Sequence, residues 1–304
     1  MLKVAQDIAT FSIFVILFSC SQTNEISKLQ PSSSENNKFI MSTSRTFFGS
    51  KDDDLLNIRI SCRDNETRLK QKCNLWSATR DGHAKIFKSN DITRSGEFSY
   101  RFENGLGDCS LSAGGTWNDC KKDRERTELV TDEFSDRKPK WFKFSIFIPL
   151  DTKCARGVSC SYWQIKTYNS HTPLYMLRWR GKQITWTDFA NGEWAGPQES
   201  YIMHPDEFRG KWLDFLINVE FKNWPEKGKL RIWINGKQSL EKIGYTRPIA
   251  GDNNYMKWGI YKTFVSKAQE QRTKQIVYYD SIAIAETCDG LKIEKEGYNC
   301  EDFE

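Results

Sequence analysis

The chain has 304 residues, which is enough for one large β domain or two small ones. Aromatic residues make up 13% of it, including eleven Trp, and this content suits both a packed sheet sandwich and a sugar-binding surface. The formal net charge is only +5, with Lys and Arg interspersed among Asp and Glu. This distribution excludes a basic arm or tail for nucleic acid, whereas a mild positive balance suits an anionic ligand held in a local groove.

The first 20 residues are typical of an export signal. Lys3 precedes an apolar run over residues 11–18, which is too short to predict a membrane span. The segment Leu17-Phe18-Ser19-Cys20 is similar to the bacterial lipoprotein cleavage box, in which the cysteine is lipidated. An ordinary signal peptide is the alternative. We therefore predict a signal over residues 1–20, with Cys20 as candidate lipidation site. The exported protein would be secreted, periplasmic or an outer-membrane lipoprotein that meets the membrane only through this anchor.

Eight further cysteines form four close sequential pairs. In an exported chain this pattern favours disulfides over free or metal-bound thiols, and each would stabilise the fold by about 2–3 kcal/mol. The predicted disulfides are Cys62–Cys73, Cys109–Cys120, Cys154–Cys160 and Cys288–Cys300. Paired cysteines of the metal-knuckle type do not occur, and the acidic run at residues 52–54 lacks the ligand spacing of a calcium loop. We assign no cofactor and no metal, although calcium is possible.

The chain divides into a polar linker and one β domain. Residues 21–45 contain a serine run and paired Asn, which predicts a flexible linker. The pattern over residues 46–95 is weak, with one short strand at 56–60. Beyond residue 95, apolar alternation recurs between turn signals. The predicted strands are 98–102, 124–130, 141–148, 162–168, 174–180, 183–188, 212–221, 229–234, 255–262 and 276–285.

No long helical period competes with these strands, so the sequence predicts an all-β antiparallel sandwich, with one domain over residues 46–304. Phe142, Phe144, Ile146 and Ile148 share one face of their strand and would form part of the core. Asn235-Gly236 predicts a hairpin turn. We expect a monomer.

The stretch Tyr255–Lys262 carries polar groups on one face of a strand. Tyr255, Lys257 and Tyr261 point one way, and the apolar Met256, Trp258 and Ile260 point toward the core. Gly259 would let a ligand approach the backbone closely. The alternative interpretation is an edge strand with a hydrated face.

Two other strands have the same character. Arg124, Arg126 and Glu128 share a face, where Glu128 would orient Arg126 toward a ligand carboxylate. On the strand that follows the third cysteine pair, an amide and a cation lie between aromatics. These four side chains are Tyr162, Gln164, Lys166 and Tyr168. A solvated edge and a hydrated sheet face are the respective alternatives.

These stretches resemble motifs of polysaccharide lyases with a concanavalin A-like β-jelly-roll fold. Arg126-Thr-Glu-Leu129, Gln164-Ile-Lys166 and Tyr255-x-Lys257-x-Gly-x-Tyr261 follow the order of the R-S/T-E-L, Q-I/V-H and Y-F-K-x-G-I/V-Y strands of jelly-roll alginate lyases. Glucuronan lyases carry similar motifs. The heparin lyase I-like family is more similar still. It shares segments like Gly107–Cys109, Trp117–Leu129, Gly210–Trp212, Trp233–Gly236 and Val277–Asp280. The resemblance covers roughly residues 95–286.

The resemblance implies a lyase that cuts a uronic-acid polysaccharide such as alginate, glucuronan or a glycosaminoglycan-like polymer by β-elimination. The proton α to the carboxylate is removed and the C4 oxygen is expelled. Arg126 and Gln164 would neutralise the carboxylate and stabilise the developing enolate. Tyr261 would act as base, acid or both. Because a free phenol has a pKa near ~10, Lys257 and a nearby Arg would have to favour its ionised form.

Lys166 departs from the alginate lyase pattern, which has His at this position. A lysine can neutralise a carboxylate, but a protonated lysine is a poor base. A separate histidine would then act as base. His171 is the first candidate because it follows the Gln164 strand in a loop that could fold over the groove; His83 is another, and His204 is the third histidine of the chain.

Further side chains would extend the groove, since sugar rings stack on aromatics and Arg pairs with carboxylate or sulfate. The candidates for substrate binding are Arg124, Glu128, Tyr162, Tyr168, Arg178, Arg180, Trp186 and Tyr255. Trp179 and Trp258 are assigned to the core. A non-catalytic carbohydrate-binding protein is the alternative function, favoured by Lys166. A glycoside hydrolase ranks third because no strand carries paired acids.

Overall fold

In a computed structural model of the chain, the segments in which apolar residues alternate form β-strands. The structure describes residues 58–59, 86–109, 118–131, 133–167, 172–190, 196–248 and 253–303, all within the unit Lys38–Glu304. The strands of this part are β1 (Ile58–Arg59), β2 (Ile86–Ser89), β3 (Ser99–Asn104), β4 (Arg124–Thr131), β5 (Phe134–Ser135), β6 (Lys140–Phe147), β7 (Ser159–Thr167), β8 (Pro173–Arg180), β9 (Gln183–Asp188), β10 (Gln198–Met203), β11 (Trp212–Glu220), β12 (Gly228–Ile234), β13 (Lys237–Gly244), β14 (Asn253–Thr263) and β15 (Gln275–Ala285). The helical elements are α1 (Pro205–Phe208) and 3-10 turns at Cys120–Lys122, Val265–Lys267, Asp289–Leu291, Ile293–Glu296 and Cys300–Asp302.

These strands form two antiparallel sheets. The first has the order β1-β4-β14-β7-β8-β9-β10, with β5 paired to β14, and the second has the order β13-β12-β11-β6-β15-β3-β2. The predicted antiparallel all-β fold is confirmed. Each strand predicted from residue 98 onward has an observed counterpart whose ends differ by at most three residues.

The core lies between the two sheets and follows the predicted faces. Phe142, Phe144, Ile146 and Ile148 are all buried in it. The ring of Phe144 stacks on Trp163 of the opposite sheet at 5.7 Å between centroids, so β6 and β7 meet across the interior. Such aromatic contacts add to the hydrophobic free energy of burial. The assignment of Trp179 and Trp258 to the core is also confirmed.

The Asn235-Gly236 hairpin forms as predicted between β12 and β13. Asn235 has φ 49° and Gly236 has φ 76°, so both central residues are left-handed. This is the backbone of the turn that Asn-Gly favours, and its twist matches that of the flanking strands.

A second apolar cluster covers the outer face of the second sheet. Trp141 of β6 stacks on Trp233 of β12 at 5.8 Å between centroids. Phe303 packs edge-on against Trp233, and Leu291 and Ile293 belong to the same cluster. The C-terminal segment therefore shields aromatic side chains on the face of the sheet that is turned away from the core.

Three disulfides are present in the described part of the chain. They are Cys109–Cys120, Cys154–Cys160 and Cys288–Cys300, each as predicted. Disulfides persist mainly in proteins exported from the cytoplasm, so the three bonds indicate an extracytoplasmic protein. The predicted Cys62–Cys73 pair lies outside the described residues.

Four strands and one helix were not predicted from the sequence: β2, β5, β10, β13 and α1. β10 and β13 are edge strands, and charged or polar residues dominate their exposed sides. Such residues keep an edge from pairing with another chain, but they also erase the apolar alternation that reveals a strand. The helix is a single turn capped by His204.

Several predictions concern residues outside the described ranges. They are the signal at 1–20 with Cys20, the linker at 21–45, Tyr168, His83 and His171. Within the described ranges, none of the helices is long and apolar enough to cross a membrane.

Candidate active site

A cavity of about 390 Å³ opens on the face of the first sheet that points away from the core. None of the described residues that line it is acidic, and six are basic. These six are Lys122, Arg124, Arg126, Lys166, Arg178 and Lys257. A cleft that concentrates one sign of charge attracts ligands of the opposite sign, so this cavity suits an anion.

Strand register brings the predicted site residues together at this cavity. Tyr261 of β14 pairs with Arg126 of β4, and Lys257 of β14 pairs with Gln164 of β7. Lys166 lies two residues further along β7, opposite Tyr255. Since side chains that share a sheet face recur every second residue, three neighbouring strands contribute to one wall.

The Arg126 guanidinium is held by two carboxylates. Its Nε and Nη2 donate to Asp119 at 2.8 and 3.2 Å, and its Nη1 donates to Glu128 at 2.9 Å. Burial lowers the pKa of Arg126, but the two carboxylates more than offset this and raise it above the ordinary value. Arg126 is therefore a permanent cation in a fixed orientation.

Asp119 belongs to the loop closed by the Cys109–Cys120 disulfide. Its backbone oxygen accepts hydrogen bonds from the amides of Lys122 and Arg124, and its side chain is fully buried. The sequence placed Asp119 within a motif segment but gave it no role. Nothing in the spacing alone shows that a loop residue contacts a guanidinium seven positions away.

Glu128 contacts three site residues from three strands. Its Oε1 accepts a hydrogen bond from Gln164 at 2.6 Å, its Oε2 accepts one from Arg126, and Lys257 Nζ lies 3.9 Å from Oε2. The expectation that Glu128 orients Arg126 agrees with this geometry. The prediction that it also contacts substrate is wrong, because Glu128 is 1% exposed and does not line the cavity.

The charges of this cluster nearly cancel. One guanidinium faces the carboxylates of Asp119 and Glu128, so these three groups carry a net negative charge. Lys257 restores neutrality only when it is protonated. The positive potential of the cavity therefore depends on the other basic residues that line it, above all Lys166 and Arg124, which are near Arg126.

Tyr261 lies against the Arg126 guanidinium, whose carbon is 4.0 Å from the ring centroid. Burial raises the pKa of the phenol, and the opposing effect of Arg126 and Arg124 does not reverse this. The nearby arginines favour the ionised form, as expected, but burial disfavours the charged form more strongly and outweighs them. In the free protein, Tyr261 is a phenol that can donate a proton.

Lys257 is the group whose protonation the site changes most. Burial, followed by the neighbouring Arg126 guanidinium, lowers the pKa of Lys257 to about 7. Burial and Arg126 also lower the pKa of Lys166. At neutral pH a substantial fraction of Lys257 is a neutral amine, which is able to accept a proton.

The prediction that Tyr162 faces the substrate is wrong because strand pairing is irregular at this point. Ser161 pairs with Arg178 and Trp163 with Leu177, so Tyr162 is an extra residue relative to β8. Tyr162 and Trp163 consequently both point into the core, and Tyr162 is fully buried against Phe208. Beyond the bulge, Gln164 returns to the cavity face.

Gly259 serves the sheet rather than a ligand. Its φ is 137°, and a Cβ on it would overlap the backbone of Thr127 on the adjacent strand. Its carbonyl accepts a hydrogen bond from the Tyr279 hydroxyl in the core at 2.8 Å. The expectation of close ligand approach is thus replaced by close approach of two backbones.

The other groove candidates are divided between cavity, surface and core. Arg178 lines the cavity and donates to Ser159 at 3.1 Å, whereas Arg180 does not line it and pairs with Glu199. Tyr255 is half-buried beside Lys257 but outside the cavity lining. The prediction for Trp186 is wrong, because it is buried in the core against Trp163.

No group of His, Cys, Asp and Glu among the described residues is arranged to hold a metal ion. Of the three histidines, the structure describes only His204, whose Nδ1 accepts from the amide of Asp206 at the start of α1. His204 caps the helix α1 and does not line the cavity.

The antiparallel sandwich thus carries a cationic cavity on one sheet, a feature that suits an anionic ligand. A model of the polysaccharide lyase family matches residues 64–283, which is well over half of the chain. The chain therefore belongs to the polysaccharide lyase family. No curated protein matches it by sequence.

Solved structures of lyases are similar to this chain. The endo-β-1,4-glucuronan lyase from Trichoderma reesei matches with a TM-score of 0.50 and 12% identity, covering 66% of this chain and 86% of that one. Alginate lyase A1-II′ of polysaccharide lyase family 7 gives 0.49 and 14%, covering 76% and 94%. Alginate lyase AlyA1 from Zobellia galactanivorans gives 0.45 and 12%, with the same coverage. The glucuronan lyase match confirms the jelly-roll sandwich.

Proposed function

We propose that this protein cleaves a uronic-acid-containing anionic polysaccharide by β-elimination. The observation that carries the proposal is the convergence of Arg126, Gln164, Lys257 and Tyr261 on one cavity lined by basic residues. The family supplies the reaction class, and the charge of the cavity supplies the class of substrate.

In the proposed reaction, Arg126 and Gln164 bind the substrate carboxylate. Hydrogen bonds and positive charge at the carboxylate stabilise the enolate that forms when the α proton leaves. Lys166 and Arg124 add the charge that Arg126 alone lacks, because Arg126 already faces two protein carboxylates. Lys166, which stands where alginate lyases have His, thus contributes positive charge and does not act as the base.

Proton transfer is assigned to Lys257 and Tyr261. Neutral Lys257 takes the C5 proton, the electrons form the C4–C5 double bond, and the C4–oxygen bond breaks. The Tyr261 phenol donates its proton to the departing oxygen, and Lys257 later returns a proton through solvent to Tyr261. His171 and His83 are the other candidates for the base, together with Tyr261 itself, and substitution of each distinguishes them.

The reaction creates an unsaturated uronate that absorbs ultraviolet light. Incubation with alginate, glucuronan, heparin and hyaluronan in turn should increase the absorbance for at least one polymer. Tyr261→Phe is the matched control, since it removes only the hydroxyl. A folded wild-type protein that yields no absorbance change with any of the four polymers would contradict the proposal. The polymer that reacts identifies the substrate, and with it whether the heparin lyase I-like resemblance extends to activity.

A non-catalytic carbohydrate-binding protein is the second candidate. Lys166 in place of the alginate lyase histidine favours it, because a protonated lysine can hold a carboxylate without accepting a proton. Saturable binding of one of the four polymers, with no absorbance change and no shortening of the polymer, would establish this function instead.

We also propose that the protein is exported and anchored through Cys20. Support comes from the disulfides and from the cleavage box at residues 17–20. Expression with Cys20→Ala should release the protein from the membrane fraction in soluble form. Equal membrane association of the variant and the wild type would contradict lipidation.

A further inference from the structure

Phe264 lies at the rim of the cavity in a backbone conformation that is unfavourable for its type. Its φ is 62° and ψ 39°, in the left-handed region that bulky side chains rarely adopt. The residue is 45% exposed, and together with Tyr261 and Thr263 it lines the cavity. Strain of this kind persists only where the surroundings impose it, and it is concentrated at functional sites.

One side of the turn that carries Phe264 is fixed by Asp123. The backbone oxygen of Asp123 accepts from the Phe264 amide at 3.1 Å. Its two carboxylate oxygens accept from the amide and the hydroxyl of Ser266 at 2.7 and 2.9 Å. Asp123 is itself left-handed, with φ 59°. Asp123 and Phe264, both in the left-handed region, are thus hydrogen-bonded to each other where β4 begins and β14 ends.

The other side of the turn is fixed by the β6–β7 connection. Gln269 donates its amide to the backbone oxygen of Arg156 at 2.8 Å. Gly157, with φ 91°, packs so closely on Lys267 that a Cβ would overlap the Lys267 carbonyl oxygen. A turn whose backbone is held on both sides loses little further conformational freedom when a ligand binds to it.

The chemistry around the ring matches a uronate sugar. Lys267 is exposed, and its Nζ lies 5.0 Å from the centroid of the Phe264 ring, within the cation–π range. A pyranose presents an apolar face of C–H groups, which an aromatic face attracts, and its carboxylate attracts an ammonium. The core cluster does not include Phe264, so packing of the interior does not explain the exposed ring.

We propose that Phe264 forms a stacking subsite for the uronate residue adjacent to the one that is cleaved. This subsite rests on the proposed lyase function, because it extends the same cavity along the polymer. Phe264 binds the chain without taking part in proton transfer, so it contributes to substrate affinity rather than to the chemical step.

Three substitutions separate stacking from a structural role. Phe264→Tyr keeps the ring, Phe264→Ala removes it, and Phe264→Gly removes it while favouring the left-handed backbone. Ile243→Ala is the control, as an exposed apolar residue on β13 of the other sheet. The substrate is whichever of alginate, glucuronan, heparin and hyaluronan the wild type cleaves fastest, and Kd is measured for all four polymers in the Tyr261→Phe background.

We expect Phe264→Ala and Phe264→Gly to raise KM and Kd by about 3- to 10-fold with kcat within about twofold of wild type. Phe264→Tyr and Ile243→Ala should leave both constants unchanged. Phe264→Gly should keep or raise the Tm, because glycine relieves the backbone strain. Loss of affinity together with an undiminished Tm is a result that a purely structural role would not produce.

The outcomes distinguish this subsite from the lyase proposal. If the wild type cleaves a polymer and Phe264→Gly leaves KM unchanged, the subsite is overturned and the lyase function stands. The same holds if the variants lose affinity only together with a fall in Tm. Binding without cleavage overturns the lyase function, and the Kd values then decide on Phe264. A wild type that neither binds nor cleaves any of the four polymers overturns both.

Discussion

Asp119 accepts two hydrogen bonds from the guanidinium of Arg126, at 2.8 Å from Nε and 3.2 Å from Nη2. Both side chains are buried, at 0% exposure for Asp119 and 6% for Arg126. Asp119 comes from a disulfide-closed loop and Arg126 from β4, so the loop determines how the strand presents its cation. In the proposed mechanism Asp119 is a positioning residue, because it reaches the substrate only through Arg126.

Asp119→Asn should lower kcat by at least about 10-fold with a smaller change in KM, because it keeps the size of the side chain and removes its charge. Arg126→Lys should lower kcat as well. If Asp119 acts through Arg126, the double variant is little worse than Arg126→Lys alone. Additive losses would contradict the positioning role. Asn118→Ala is the control, and activities are compared well below each Tm.

Removal of the Cys109–Cys120 disulfide should impair activity more than removal of a remote one. We expect C109A/C120A to lose activity at a temperature where it is folded, because the loop that carries Asp119 gains freedom. C288A/C300A, on the far side of the second sheet, should lose stability by about 2–3 kcal/mol and keep its kcat. Chemical denaturation and the absorbance assay measure the two effects. Equal kcat values for both double variants would contradict a link between the loop and the site.

Tyr261→Phe should lower kcat by about 100-fold or more, since a positioned proton donor contributes at least this much. The substitution removes only the hydroxyl and keeps the ring packed against the Arg126 guanidinium, so the Tm should change little. Binding of the polymer should persist because the ring and the cation that faces it remain. A variant with full activity would exclude Tyr261 from proton transfer.

The pH dependence of kcat/KM follows from the site. Lys257 faces Arg126, Glu128 and Asp119 from the β4 side and Lys166 from β7, and its pKa is lowered to about 7. A base must be neutral to act, so the rate should rise as the pH increases through about 7. It should fall again only in the alkaline range beyond the ordinary pKa of a phenol, where Tyr261 ionises, because burial raises the pKa of Tyr261. If His171 or His83 were the base, Lys257→Gln would keep this rising limb, whereas the histidine variant would lose it.

Lys257→Met should inactivate the protein and stabilise it. The folded-state pKa of about 7 lies below that of an unfolded lysine, near ~10.4, so the folded state binds fewer protons between these values. The native lysine therefore destabilises the fold most below pH 7, and this effect disappears as the pH rises toward 10. Urea denaturation at pH 7 and pH 10 should give a gain of order 2 kcal/mol for Lys257→Met at the lower pH and little at the higher. A loss of stability at pH 7 would contradict the lowered pKa.

The sequence predicted the sandwich because long strands alternate strictly, as the apolar face of β6 does. The sequence also predicted that Arg126, Gln164 and Tyr261 lie on one face of the sheet. Side-chain alternation and strand order are sufficient for this prediction when the residues belong to strands. In the structure Tyr261 pairs with Arg126, Lys257 pairs with Gln164, and all four residues line the cavity. The face of the sheet on which a residue lies can therefore be predicted from apolar alternation, as long as no bulge shifts the alternation.

Errors arose where local pattern and three-dimensional contacts differ. Tyr162 was misassigned because a bulge adds one residue, so that the consecutive Tyr162 and Trp163 both face the core and the alternation is shifted by one position. The ionisation of Tyr261 was misjudged because burial depends on every neighbouring element, not only on nearby cations. Asp119 and Phe264 were overlooked, since their importance comes from contacts between a loop and a distant strand.

Glu128 is bound at once to Arg126, Gln164 and Lys257. A change at any one of these positions alters the charge balance that the other two experience, so we expect evolution to exchange them only in concert. Met176 and Phe189 also line the cavity, and their apolar side chains cannot take part in this network of charges and hydrogen bonds. New polymer preferences should therefore arise by substitution of such apolar lining residues while the charged cluster stays unaltered, which tells protein engineers what to keep and what to randomise.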